Sequence, residues 1–168
     1  MIKKYNEYIK ESFEDGYQET LNLINKLVDS GDITLNDKTP EQIVDTLIGK
    51  TKKYPQFGFE SLMLTLADDD KKDFISEGDR ERMGDYIKKI KDMDIDTSKL
   101  EELYPSVERE RILYLKEEDK IRFNNELSEE EKDEAYDKLY KEIDSLKNNV
   151  KEFENELKKL SKQVVEKL

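Results

Sequence analysis

The chain has 168 residues, with 42 Asp+Glu against 30 Lys+Arg, a net charge of −12, and no His or Cys. Those absences exclude an imidazole base, a Ser-His-Asp triad, an HExxH site, a disulfide, a thiolate nucleophile and Cys-based zinc. No apolar run approaches the ~20 residues of a membrane span and no signal peptide opens the chain, so a cytoplasmic, non-enzymatic protein without cofactor is expected.

Only 35% of residues are hydrophobic and 43% are charged, against roughly 45–50% and about 25% in an ordinary globular domain. That balance fits solvated helices or disorder, and the periodicity favours helices. Ile2, Tyr5, Ile9, Phe13, Tyr17, Leu21, Ile24 and Val28 recur at threes and fours up to a Ser30-Gly31-Asp32 stop. Thr39-Pro40-Glu41-Gln42 carries a cap, a first-turn proline and a returning glutamine, with Ile43, Val44, Leu47 and Ile48 on one face ending near Gly49. A loop is expected at 54–58. Phe59, Leu62, Met63 and Leu66 fit a short helix, and the alternation of Leu62, Leu64 and Leu66 also suits a strand. Met83, Tyr86, Ile87 and Ile90 form another helix face. Ser98 and Glu101 make a capping box, and Pro105 is expected to stop the helix that this box opens.

Residues 111–124 hold two β-prone runs, Arg111–Leu115 and Ile121–Phe123, about a charged five-residue turn. A small hairpin is expected there, with a helix as the competing assignment. Ser128 and Glu131 open the last element, a helix from about 129 to the end. Tyr136, Ile143, Val150, Leu157 and Val164 take the a positions of a heptad, and Leu139, Leu146, Phe153 and Leu160 the d positions. This seam predicts a coiled-coil homodimer, the alternative being that it packs on the chain's own helices. The expected fold is therefore mainly α: a helical domain over 1–105, a linker or hairpin over 106–127, and a dimerising helix over 128–168.

Charge is uneven. Residues 1–58 carry 8 basic and 10 acidic side chains, 59–135 carry 14 and 25, and 136–168 carry 8 and 7. The excess stands in runs: Asp68, Asp69 and Asp70; Asp92, Asp94 and Asp96; Glu117, Glu118 and Asp119; then Glu129, Glu130, Glu131, Asp133 and Glu134. Such a surface repels nucleic acid and steers towards a basic partner, though solvated charge serving solubility is the plainer account. Asp92, Asp94 and Asp96 imitate a calcium loop, but Thr97 replaces its turn glycine and Leu103 its last ligand. Asp68–Asp70 with Asp73 lacks the phosphate loop that would make it a magnesium site. Gln18, Leu21 and Leu23 match a loose clamp-binding peptide pattern, and Leu21 also belongs to the first helix face.

In size, acidity, absence of Cys and coiled-coil tail, the chain resembles the Twort-type staphylococcal phage inhibitors of the bacterial DNA sliding clamp. The resemblance covers the whole chain in character and rests on no diagnostic motif. It implies a phage-encoded DNA mimic, acting in the host cytoplasm, that occupies the basic channel of the sliding clamp (the polymerase III beta subunit) and prevents its loading. The four acidic runs are the expected contacts. A structural or adaptor coiled coil, such as a phage scaffold component, is the alternative.

Overall fold

The computed structural model describes residues 2–51, 58–70 and 75–168, with side chains from residue 13 onward in the first helix and to residue 49 in the second. The side chains of Ile2, Tyr5 and Ile9, the loop at 54–57 and Asp73 lie outside the described residues. The elements are α1 (Ile2–Asp29), α2 (Pro40–Thr51), α3 (Phe59–Leu66), α4 (Glu77–Glu81), α5 (Met83–Lys91), α6 (Ser98–Ile112), a π-helical turn (Leu113–Glu117), α7 (Glu118–Arg122) and α8 (Glu129–Lys167). The fold is mainly helical, and no strand forms among the described residues.

Local chemistry sets several of these boundaries. Gly31, with φ +79, turns the chain out of α1 in a conformation that side-chain-bearing residues rarely adopt. At α2 the Thr39 N–H donates to Gln42 Oε1 (2.9 Å) while the Gln42 N–H donates to Thr39 Oγ1 (3.3 Å), the reciprocal box expected there. Ser128 and Glu131 close the same box at α8, at 2.8 and 3.2 Å. The box expected from Ser98 is displaced. Asp96 Oδ1 accepts from the Ser98 N–H and hydroxyl, and Glu101 instead meets the Thr97 hydroxyl at 3.2 Å.

Two expectations are overturned in the α6–α7 region. Pro105 does not end a helix but lies inside α6. It removes one backbone hydrogen bond, at a cost of about 3 kcal/mol. Leu100 and Leu103 before it and Val107 after it are all buried, and their burial outweighs that loss. Residues 111–122 form helical turns rather than a hairpin. Eight residues of ordinary α-helix would leave Leu113 and Ile121 about 80° apart around the axis. The wider π turn brings both towards the small core of Leu113, Leu139 and Ile143. The polar stretch between them also pairs at helical spacing: Glu117 with Lys120 at 2.9 Å and Glu118 with Arg122 at 3.0 Å.

The described chain divides into two compact units, and neither follows the boundaries expected at 105 and 127. The first contains the described residues up to 70 with Asp92–Ile95 and Lys158–Leu168. Its core gathers Ile24, Leu27, Ile43, Leu47, Met63 and Val164. The second contains Ile75–Lys91 and Asp96–Leu157. Its core includes Met83, Ile90, Leu100, Leu113, Ile143 and Phe153, with the Tyr104 and Phe153 rings 6.4 Å apart.

The α8 stripe is divided likewise. Leu139, Ile143, Val150, Phe153 and Leu157 are buried in the second unit, where Leu146 is half-buried, and Leu160 and Val164 are buried in the first. A stripe covered by its own chain leaves little apolar seam for a second copy. Phe153→Ala should therefore lower the unfolding free energy by about 3–5 kcal/mol, and the denaturation midpoint should not vary with protein concentration. A midpoint that rises with concentration would instead mark an intermolecular seam.

Candidate interaction surface

The acidic runs singled out by the sequence have separate structural fates. In the first unit, Asp68–Asp70 follow the end of α3 and are largely neutralised from within. Asp68 is buried, its Oδ1 accepts from the Asp70 N–H (3.1 Å), and Lys26 reaches it at 3.0 Å. Lys26 also reaches Asp70 at 2.8 Å, and Lys162 reaches Asp69 at 2.8 Å and Asp32 at 3.4 Å. Asp70 first, then Asp68, holds the Lys26 ammonium above its ordinary pKa. The run is thus a clasp tying α1 and the end of α8 to the α3 terminus. As a buried side chain Asp68 offers no carboxylate to a partner, contrary to expectation.

Asp92 and Asp94 are exposed in the same unit. Asp94 has φ 57, a left-handed conformation that a short polar side chain tolerates. Asp96, also exposed, caps the start of α6. Among the described residues no group of acidic side chains is arranged to hold a metal ion. The Gln18–Leu23 segment is helical, with Thr20 buried and Leu21 and Leu23 half-buried, rather than extended as a clamp-binding peptide would be.

In the second unit, Glu117–Asp119 and Glu129–Glu134 flank the same small core, because Ile121 and Tyr136 both pack against Leu113, Leu139 and Ile143. The first run is largely spent: Lys120 pairs with Glu117 and holds its carboxyl below the usual range, and Arg122 lies 3.0 Å from Glu118 and 3.5 Å from Asp119. At the start of α8, Glu131 serves the cap and Glu129 stands 3.9 Å from Lys132.

Glu130, Asp133 and Glu134 remain. All three are exposed, and none has an ion pair among the described residues. Asp137, which the sequence runs did not include, continues them in the same state. The four follow i, i+3, i+4 and i+7 spacing and so share one helix face. That spacing was available in the sequence as the signal for Asp137. Glu130, in the first turn of α8, is also favoured by the positive end of the helix dipole.

The same unit also exposes aromatic and aliphatic side chains. Tyr114 and Leu115 point out of the π turn at 44% and 43% exposure, Phe123 follows α7 at 71%, and Tyr140 lies on α8 at 44%. Tyr140 stacks on the half-buried Tyr136, with centroids 6.2 Å apart and planes at 19°.

The second unit is braced by Arg80, which bonds the buried Glu110 at 2.9 Å and lies 3.7 Å from Glu154. Arg80→Met strands the Glu110 charge and should cost about 3 kcal/mol in stability. Adding Glu110→Gln should recover much of it, as chemical denaturation of both variants would measure. In the first unit, the Ser30 hydroxyl 2.6 Å away, helped by Lys162, holds Asp32 below its ordinary pKa of 3.8. A carboxyl lowered on folding stabilises above its unfolded pKa, and that contribution is lost as pH falls through the folded one. The urea-midpoint gap between the native chain and Asp32→Ala should therefore be present at pH ~7 and close below about pH 4.

Compared with known proteins, the chain matches no family model, no curated protein and no solved structure.

Proposed function

We propose that this protein is an acidic DNA mimic, phage-encoded, that binds the basic DNA channel of the bacterial sliding clamp and keeps it from loading. The observation that carries this is the exposed face of Glu130, Asp133, Glu134 and Asp137, whose carboxylates make no ion pair among the described residues. Along α8 these four rise by about 4.5, 1.5 and 4.5 Å in turn, so four charges fall within about 10.5 Å of helix axis. Phosphates along one strand of duplex DNA follow at ~3.4 Å. A groove built to take successive phosphates would therefore meet charge of the right sign at a comparable density along the axis.

The clamp itself enters through the chain's resemblance to clamp inhibitors, while the charge face supports any protein that grips a duplex. Asp92 and Asp94 provide a smaller acidic place in the other unit. The rival role as an adaptor coiled coil needs an open apolar seam, and the buried stripe of α8 disfavours it.

Binding to purified clamp, measured by titration, tests the proposal. If four carboxylates stand in for phosphates, affinity should fall about a hundredfold between ~50 and ~200 mM salt. Glu130→Gln/Asp133→Asn/Glu134→Gln/Asp137→Asn should remove most of that salt dependence and weaken binding at least ~10-fold. Asp92→Asn/Asp94→Asn should change it less. Binding that ignores both salt and the four substitutions would defeat the proposal.

A further inference from the structure

The face that carries the free carboxylates also carries rings. On α8, Asp133, Tyr136, Asp137 and Tyr140 follow i, i+3, i+4 and i+7 spacing and share one face. Tyr136 anchors its ring against the Leu113–Leu139–Ile143 core, and Tyr140 stacks on it while remaining 44% exposed. Among the described residues Lys89 lies over the Tyr86 ring, but no cation of the chain lies over Tyr136 or Tyr140.

Phosphate mimicry requires only charge; a stacked, half-exposed tyrosine pair beside carboxylates is an additional feature. Lysine and arginine use such a place differently. The lysine ammonium is a compact, strongly hydrated point charge. The arginine guanidinium is flat and weakly hydrated, stacks on an aromatic face, and can direct its in-plane N–H groups at neighbouring carboxylates at the same time. Asp133 and Asp137, on the same helix face by their spacing, are the carboxylates those N–H groups would meet.

We infer that the Tyr136–Tyr140 face, flanked by Asp133 and Asp137, docks arginine side chains of a basic partner segment in preference to lysine. This deepens the proposed function and rests on it for the partner's identity: the channel residues engaged at this face would be arginines. The occupant is argued from charge complementarity and from the ring pair, and it makes the face selective rather than merely acidic.

Octa-arginine and octa-lysine peptides of equal charge test this on the full chain at fixed ionic strength. Octa-arginine should bind about fivefold more tightly. Tyr140→Leu should bring the two affinities together by weakening octa-arginine alone, and Tyr140→Phe, which keeps the ring, should preserve the preference. Asp133→Asn/Asp137→Asn should weaken both peptides. Because Tyr140 is exposed, Tyr140→Leu is expected to fold, and its melting temperature checks that. Equal affinity of the native chain for both peptides, or a preference that survives Tyr140→Leu, would overturn the inference. So would self-association abolished by Tyr140→Leu, since the face would then belong to a second copy. Salt-dependent clamp binding without any arginine preference would sink this inference and leave the proposed function standing.

Discussion

Helix α8 carries apolar side chains along 39 residues, and that surface is consumed within its own chain. With only 35% hydrophobic residues, the protein has little apolar material to spare, so the stripe from Leu139 to Val164 supplies core to both compact units. Burying a Leu- or Phe-sized side chain is worth about 1.5–3 kcal/mol. Leaving the seam open for a partner copy would forgo that stabilisation at several positions. The opposite side of α8 is thereby left polar, and its first turns become the place where charge can be displayed.

Charge display is selective. Both lysines that meet the Asp68–Asp70 run, Lys26 and Lys162, come from distant sequence positions. Glu117–Asp119 find their cations within one helical turn. Only at the start of α8 do several adjacent carboxylates stand on one face without ion pairs among the described residues. Net charge states how much acid the chain holds; the fold decides which of it an approaching cation would meet. Surface ion pairs contribute little to stability, but they remove carboxylates from the set that can attract a partner.

Much of the fold is legible in the residues because its signals are local. The Thr39–Gln42 and Ser128–Glu131 boxes, the glycine stop after α1 and the unbroken periodicity of α8 all act within one or two turns. Illegible parts depend on remote contacts. Pro105 reads as a stop until the burial of Leu103 and Val107 is known. Residues 111–122 read as strand-prone until the core at Leu139 and Ile143 calls for a widened turn. The helical ion-pair spacing of Glu117 with Lys120 and Glu118 with Arg122 was the local clue to the second case. For the surface, sequence located the acidic runs but could not tell the buried Asp68 from the exposed Glu130, because Lys26 stands 42 residues from Asp68. It also passed over Asp137, which belongs to the face by helical spacing rather than by adjacency.

The central claim is that the start of α8 takes the place of DNA phosphates. Carboxyl footprinting tests it most directly: accessible Asp and Glu are amidated with a carbodiimide and an amine, with and without purified sliding clamp, and the modified sites are read by mass spectrometry. The account predicts that Glu130, Asp133, Glu134 and Asp137 lose labelling in the complex, while Asp92 and Asp94 change far less. A complex in which those four carboxylates label as fully as in the free protein would contradict it.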